Sequence, residues 1–550
     1  MTRESVKRSA MIVMGGMIVS RLLGYVRYKT IFYYFGRGPE TDAFLGAFAV
    51  PDLLYILASG GAMTAAFIPI YSELIEKDKK EKAWRLAGSV VNISFIVIVP
   101  LIILGIIFAP QLTRVIVPGF NNHPETFNLC VEIMRIIFPM VILTSLSALC
   151  NGILQSHNHF TTPAVAWSLH NIGIISAAVL LHGILGIKGL GYGVLLGAFS
   201  MVAVQVPAII KKGVRYRFTL GRGSPETKRV LKLFLPAMLG LSISQINLLI
   251  MPITFGSYMG EGAVTALQGG IRLLLLPLGI FGNAISMAIF PTLSRQAGSG
   301  RMDEFKGTLA KGISATFAFS LPSMVVFLLL GLPIVRFLFG GGQFSVADCE
   351  ATSYALLFYA IGLPAHTAIQ VISRGYYSMK DTRTPLFIGL FSLLVITIPF
   401  CIGLLGINTF SVNVLGNAVS LGPLMWFFRI SPFYYLGGLL QNLTYGGVAL
   451  SVSLATLFNF IALLIILIWR VPGIRMGEIL VSFMRVGIAA CVSGAGCYGA
   501  VRLTEGQDPF IQMIAGMTTI CILYIGIGRF MKVGEINEMI QMFAGRLRRR

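Results

Sequence analysis

Charge is what this sequence has least of. Only 12% of its 550 residues are Asp, Glu, Lys or Arg, where a soluble domain carries about 25%. An ordinary water-soluble enzyme or binding module is thereby excluded. Acids are scarcer still, 22 against 43 basic residues, and few of them fall in apolar stretches (Asp42, Asp52 and Glu132). A membrane-embedded transferase needs several converging carboxylates or histidines. His157, His159, His170 and His182 are too loosely spaced for a metal site. No GxxxxGK[ST], HExxH or GxSxG pattern occurs, and the "GGGQF" of 340–344 has no lysine for phosphate, so it reads as a glycine turn in an outer loop. The seven cysteines are odd in number and contain no CxxC, which leaves them as small apolar packing residues. The chain is expected to be no enzyme and to hold no cofactor, a coupling ion of open identity apart. Short alternating strands are missing too, which excludes a porin-like barrel.

What fills the chain is apolar sequence, 55% of it, with a mean hydropathy of +0.81. Runs such as "VVNISFIVIVPLIILGIIFAP" (90–110) and "LATLFNFIALLIILIW" (454–469) match or approach the ~20 residues that span a bilayer. The fold class is all-α, a polytopic membrane protein. Fourteen transmembrane helices are expected at 9–35, 41–70, 86–109, 128–155, 161–182, 189–210, 230–256, 263–294, 312–335, 351–375, 384–406, 444–469, 479–501 and 511–530. The basic start "MTRESVKRSA" precedes a stretch interrupted by Arg21 and Arg27, which reads as a retained first helix rather than a cleaved signal.

The net charge of +21 could suggest nucleic acid, but its placement argues against that partner. Most basic residues sit in the even-numbered connections and at the two ends. Only Arg37, Arg114, Lys188, Arg336, Arg429 and Arg502 occupy the odd connections. By the positive-inside rule both termini are expected in the cytoplasm. The terminal "RLRRR" (546–550) suits anionic membrane lipids.

The two halves repeat. "AFIPIYS" (66–72) and "AIFPTLS" (288–294) end the second and eighth helices; "HFTTP" (159–163) and "DTRTP" (381–385) open the fifth and eleventh. Both proline pairs, Pro69 with Pro291 and Pro163 with Pro385, are 222 residues apart. "FAPQLTR" (108–114) and "GLPIVR" (331–336) pair near that offset. The expected organisation is an N-terminal lobe (1–212), a basic cytoplasmic linker (213–229), a C-terminal lobe (230–470), and two further helices with a basic tail (471–550). An even number of helices per repeat keeps both lobes in one orientation. Residues 408–443 break the repeat; charge parity favours a re-entrant or interfacial periplasmic hairpin there.

The remaining chemistry lies in buried cations. A charge at the bilayer centre costs roughly 2.5–3.5 kcal/mol on insertion scales, so such residues face a cavity and do a job. Arg21, Gly24 and Arg27 stand at i, i+3 and i+6 of the first helix, a slanted stripe in which Gly24 leaves room between two guanidiniums. Lys29 points elsewhere and snorkels. Arg272, in "GGIRLLLLP" (269–277), lies on the eighth helix. Glu132 and Arg135, three apart, are expected to pair with each other. A buried ion pair is the plain explanation for one such arginine; three with so few acids call for an anion. Guanidinium forks suit phosphate oxygens, so the expected ligand is phosphorylated.

In order, "SRLLGYVRY" (20–28), "GRGPETDAFLGAFAVPDLL" (36–54), "GAMTAAFIPIYSE" (61–73), "VPGF" (117–120) and "RGYYSMKDTRTP" (374–385) resemble the signatures of the MurJ/MviN lipid II flippases, within the multidrug/oligosaccharidyl-lipid/polysaccharide exporter superfamily. The resemblance covers nearly the whole chain. It implies two lobes around a cationic cavity, and a groove at helices 13–14 for a polyprenyl tail. It implies alternating-access transport of the peptidoglycan precursor to the outer leaflet of the bacterial inner membrane, with cell-wall synthesis and division proteins as possible partners. The family's cavity arginines carry over onto Arg21, Arg27 and Arg272, and its helix-2 aspartate onto Asp42. The sequence departs from the family at Tyr55, Gly60, Ile271 and Leu275, where relatives place a cation or acids. Those departures leave open another polyprenyl-linked saccharide as cargo, or a non-transporting cell-wall scaffold. A drug exporter would want acids to bind organic cations; here the sign is opposite.

Overall fold

The computed structural model describes residues 3–59, 61–214, 216–221, 224–406, 411–414, 417–420, 428–531 and 533–536. Its contacts divide into two compact units. The first holds residues 1–265 with 341–345 and 411–420; the second holds the remainder.

The first unit contains α1 (Arg3–Phe35), α2 (Pro39–Ser59), α3 (Gly61–Glu76), α4 (Lys80–Ile107), α5 (Ala109–Ile116), α6 (Pro124–Ile137), α7 (Met140–Ser156), α8 (Thr161–Leu180), α9 (His182–Leu185), α10 (Lys188–Lys211), α11 (Pro225–Gln245) and α12 (Met251–Gly256). Small residues set its tightest packing. Gly173 on α8 and Gly197 on α10 approach so closely that a Cβ on Gly173 would stand 2.6 Å from the Gly197 Cα. Apolar burial alone gives helices no reason to associate in lipid, so such close backbone contact has to supply it through van der Waals packing.

The first unit also continues past the expected lobe boundary at 213–229. Val230, at the start of α11, is buried with Phe67, Tyr71, Leu86 and Leu149 in one cluster, and Arg229 reaches Glu73 at 3.3 Å. The linker itself lies along α4. The Asn92 amide donates to the Thr219 carbonyl at 2.9 Å, and the Tyr216 hydroxyl donates to the Asn92 side-chain oxygen at 2.6 Å.

The second unit begins within α13 (Ala263–Pro277) and continues through α14 (Ala284–Gly298), α15 (Met302–Phe339), α16 (Val346–Ile361), α17 (Leu363–Ser378), α18 (Arg383–Ser392) and α19 (Ile398–Leu404). It ends with α20 (Pro432–Leu439), α21 (Thr444–Arg470), α22 (Met476–Leu503) and α23 (Pro509–Phe530). Single π-turns join α13 to α14 (Leu278–Asn283) and α18 to α19 (Leu393–Thr397). The second is bound by the 408–443 insertion: the Ser431 hydroxyl donates to the Val395 carbonyl at 2.6 Å and accepts from the Phe433 N–H that starts α20. π-turns disturb the regular ladder of carbonyls, and a hydroxyl from a neighbouring segment satisfies one of them here. Upstream, the insertion forms a two-stranded antiparallel hairpin, β1 (Ser411–Val414) with β2 (Asn417–Ser420). Residues 408–410, 415–416 and 421–427 of it lie outside the described residues.

Among the described residues, ten helices are long and apolar enough to cross a membrane, or eleven if the pair α16–α17, bent by 46°, counts as one span. The expected fourteen is not reached by this measure. The shortfall falls on 9–35, 41–70 and 230–256. The first lies within α1. The second is divided between α2 and α3, and the third between α11, a π-turn and α12.

Candidate functional site

α1 is a 33-residue helix. Its arginine stripe lies where α1 packs along α8. The Asn171 side-chain amide donates to the Ser20 carbonyl at 3.2 Å and so fixes α8 against the residue before Arg21. Arg21 is exposed and Arg27 partly buried, with the Arg27 guanidinium 4.9 Å from the Tyr28 ring centre. Nothing lies within 4 Å of where a Cβ on Gly24 would stand, so the helix surface at Gly24, between the two arginines in sequence, is open. Among the described residues no carboxylate pairs with Arg21 or Arg27. Two unneutralised forks with space between them can hold a bidentate oxyanion. Lys29 is exposed on another face, as its position suggests.

Asp42, which the resemblance places in the substrate site, lies at the start of α13. It is 1% exposed, and its two carboxylate oxygens accept from the Gly262 N–H at 2.7 Å, the Thr265 N–H at 2.7 Å and the Thr265 hydroxyl at 2.6 Å. The first N–H groups of a helix have no partner within it, and here a carboxylate from a helix 220 residues earlier supplies the cap of α13. Gly262, at φ +76°, packs so tightly on Arg37 that a Cβ there would come within 2.7 Å of the Arg37 Cγ. These three bonds let Asp42 position the start of α13. α13 then carries Arg272, which is partly buried in the second unit between Ile271 and Leu273.

One correction concerns Glu132 and Arg135. They do not pair. Glu132 meets the Lys188 ammonium at 2.5 Å, and the Arg135 Nε donates to the Ile106 carbonyl at 3.2 Å. The start of α10 brings a lysine closer than the next turn of α6 can bring its own arginine.

The second unit has a half-open groove of about 730 Å³. Ile285 and Ile289 of α14, Phe319 of α15 and Val481 of α22 form an apolar wall, while Lys311, Arg485 and Glu535 add charge. No group of three or more His, Cys, Asp or Glu among the described residues is disposed to hold a metal.

The family model described as lipid II flippase MurJ matches residues 31–437. This chain belongs to that family. A probable lipid II flippase MurJ of Rhizobium meliloti is 31% identical over 493 residues, 88% of this chain and 85% of the relative. Another from Buchnera aphidicola of Acyrthosiphon pisum is 32% identical over 381 residues, 69% and 74% of the two chains. Among solved structures, a lipid II flippase MurJ in an inward closed conformation superposes with a TM-score of 0.72 at 27% identity, covering 94% of this chain and 99% of that one. A multidrug MATE transporter facing inward gives 0.62 at 17% identity, a likeness of fold alone.

Members of this family are multi-pass membrane transporters, and the stripe on α1 lies inside one of its long helices. Two nearby side chains escaped the sequence reading. His170, set aside there as a metal ligand, is buried on α8, and its neighbour Asn171 ties α8 to α1 at Ser20. The available signal was "WSLHN" (167–171), a polar pair inside an otherwise apolar span. Of the departures from the family, Tyr55 makes an edge contact with Trp167 of α8, ring centres 5.7 Å apart. Ile271 is buried and Leu275 partly buried, whereas Gly60 lies outside the described residues.

Proposed function

We propose that this protein moves lipid II, the polyprenyl-diphosphate-linked peptidoglycan precursor, from the inner to the outer leaflet of the bacterial cytoplasmic membrane by alternating access. One observation carries the reading: two arginines on α1, free of carboxylate partners among the described residues, flank an open gap inside an apolar helix of a MurJ-family chain. Arg21, Arg27 and Arg272 are the groups assigned to the diphosphate, with Gly24 giving it room. The groove along α14, α15 and α22 suits the polyprenyl tail by its apolar wall. Both termini are placed in the cytoplasm by the charge pattern, and rocking between inward-open and outward-open states replaces hydrolysis, since the sequence carries no nucleotide-binding motif. The protein is a transporter rather than an enzyme. Protein partners in cell-wall synthesis belong to the same reading.

The test is complementation of a strain depleted of its lipid II flippase. Wild-type protein rescues growth, while Arg21→Ala, Arg27→Ala and Arg272→Ala do not, although each reaches the membrane at normal levels. Arginine-to-lysine variants rescue in part, because an ammonium lacks the bidentate fork. Membrane-inserted wild-type protein that fails to rescue, but restores export of another polyprenyl-linked saccharide, would transfer the mechanism to that cargo. Rescue by all three alanine variants would end the diphosphate assignment.

A further inference from the structure

His170 is the one buried histidine on α8, 8% exposed. Its Nδ1 is enclosed and has no hydrogen-bond partner among the described residues. Buried polar atoms are nearly always paired, and an orphan asks for an explanation. Packing accounts for the missing partner. On α10, Gly197 lies against the ring, and a Cβ there would come within 3.0 Å of Nδ1 and 2.6 Å of the His170 carbonyl oxygen. That wall is bare backbone with no side chain to offer. The other wall is α1, held at Ser20 by Asn171.

The titratable and charged groups around this site are few. α1 brings Arg21, Tyr25, Arg27, Tyr28 and Lys29; α10 brings Tyr192, with Lys188 and Lys211 at its ends; α7 brings Cys150 and α9 brings His182. Of these, Arg27 acts electrostatically on the His170 ring. No carboxylate stands on α7, α8, α9 or α10 over their described lengths; α1 carries Glu4 at its start, sixteen residues before Ser20, and α2, whose Tyr55 meets Trp167 of α8, brings Asp52.

We propose that His170 is a proton-binding site linked to anion occupancy of the Arg21–Arg27 stripe, so that proton uptake accompanies binding of the diphosphate cargo. An imidazolium beside Arg27 places two like charges in an apolar wall. A diphosphate lying on Arg27 reverses that penalty, because its two negative charges then outweigh the guanidinium. Occupancy and protonation therefore favour one another, and linkage makes the effect reciprocal. The proton goes to an imidazole nitrogen and no other bond changes. When the anion leaves on the far side, the proton loses its reason to stay. This inference rests on the stripe being the diphosphate site.

The experiment is isothermal titration calorimetry of the full-length protein in detergent with a short-chain prenyl-diphosphate analogue of lipid II. Running it in two buffers of different ionisation enthalpy counts protons taken up per ligand. A diphosphate esterified at both ends has no ionisation of its own near neutrality, so an absorbed proton belongs to the protein. Wild type takes up a fraction of one proton, and its affinity rises as pH falls, by at most about tenfold per pH unit for one linked proton. His170→Gln, or His170→Asn should the first fail to fold, binds the analogue with no uptake and a flat pH profile. Arg27→Ala loses binding at every pH.

Wild type taking up no proton overturns the proposal whatever the variants do. Unchanged uptake in folded His170→Gln overturns it while leaving the cargo assignment intact. Normal binding by Arg27→Ala overturns the cargo assignment, and this inference with it.

Discussion

Replacing Asp42 separates a helix-positioning role from a ligand-binding one. In Asp42→Ala the Gly262 and Thr265 N–H groups, each 2.7 Å from a carboxylate oxygen, lose their acceptor in a site that is 1% exposed. The Thr265 hydroxyl loses its acceptor as well. Hydrogen bonds to charged groups contribute about 1.5–3 kcal/mol each, and a buried donor left without a partner costs about 1–3 kcal/mol. These terms overlap, and the expected loss for Asp42→Ala is about 3–5 kcal/mol of stability. Asp42→Asn keeps the volume but turns an NH2 toward one of the donors, for a loss of about 2–3 kcal/mol. Thr265→Val removes only the hydroxyl, for about 1 kcal/mol.

Melting in detergent, followed by intrinsic fluorescence, should rank the proteins as wild type, Thr265→Val, Asp42→Asn, Asp42→Ala from most to least stable. Protein that remains folded should still bind a short-chain lipid II analogue. The reasoning is refuted if Asp42→Asn melts like wild type yet no longer binds, since the carboxylate would then be touching the ligand.

Two further outcomes follow from other parts of the chain. Asp381, in the loop between α17 and α18, is pushed up by burial, but bonds from the Thr384 side chain and backbone, the Arg470 guanidinium and the Arg383 N–H outweigh this and hold it below the ordinary carboxylate value. A carboxylate depressed in the fold stabilises above its unfolded pKa of about 3.9 and loses that contribution as pH falls through the folded value. Wild type should therefore melt above Asp381→Asn at neutral pH, with the gap closing in acid; a gap constant down to about pH 3 contradicts the assignment. For topology, a cysteine introduced at Asn417 in a chain stripped of its native cysteines should react with an impermeant maleimide from the periplasm, and one at Ser224 should not. The reverse pattern would invert the orientation drawn from the basic residues.

The legible parts of this protein are those in which one segment carries its own evidence. α4, α10, α15 and α21 are spans because each is an apolar run of sufficient length. The arginine stripe was readable because Arg21, Gly24 and Arg27 share one helix, and the helical repeat fixes their relative directions before any packing occurs.

Partners that meet across hundreds of residues were not legible. Glu132 had Arg135 within one turn, yet the fold brings Lys188 to it. The basic linker promised a boundary at 213–229, yet Val230 is buried among residues of α3, α4 and α7, and the first unit runs on to Thr265. By composition and periodicity the sequence determined that the chain is a helical membrane protein with a stripe of arginines on its first helix, since apolar length and helical spacing are local quantities. Tertiary structure alone decided that Asp42 caps a helix 220 residues away and that a histidine is sealed against Gly197 beside those cations. Burial and hydrogen bonding depend on which helices pack together, and helices in lipid choose their neighbours by backbone approach and the pairing of stranded polar groups, neither of which a linear pattern specifies.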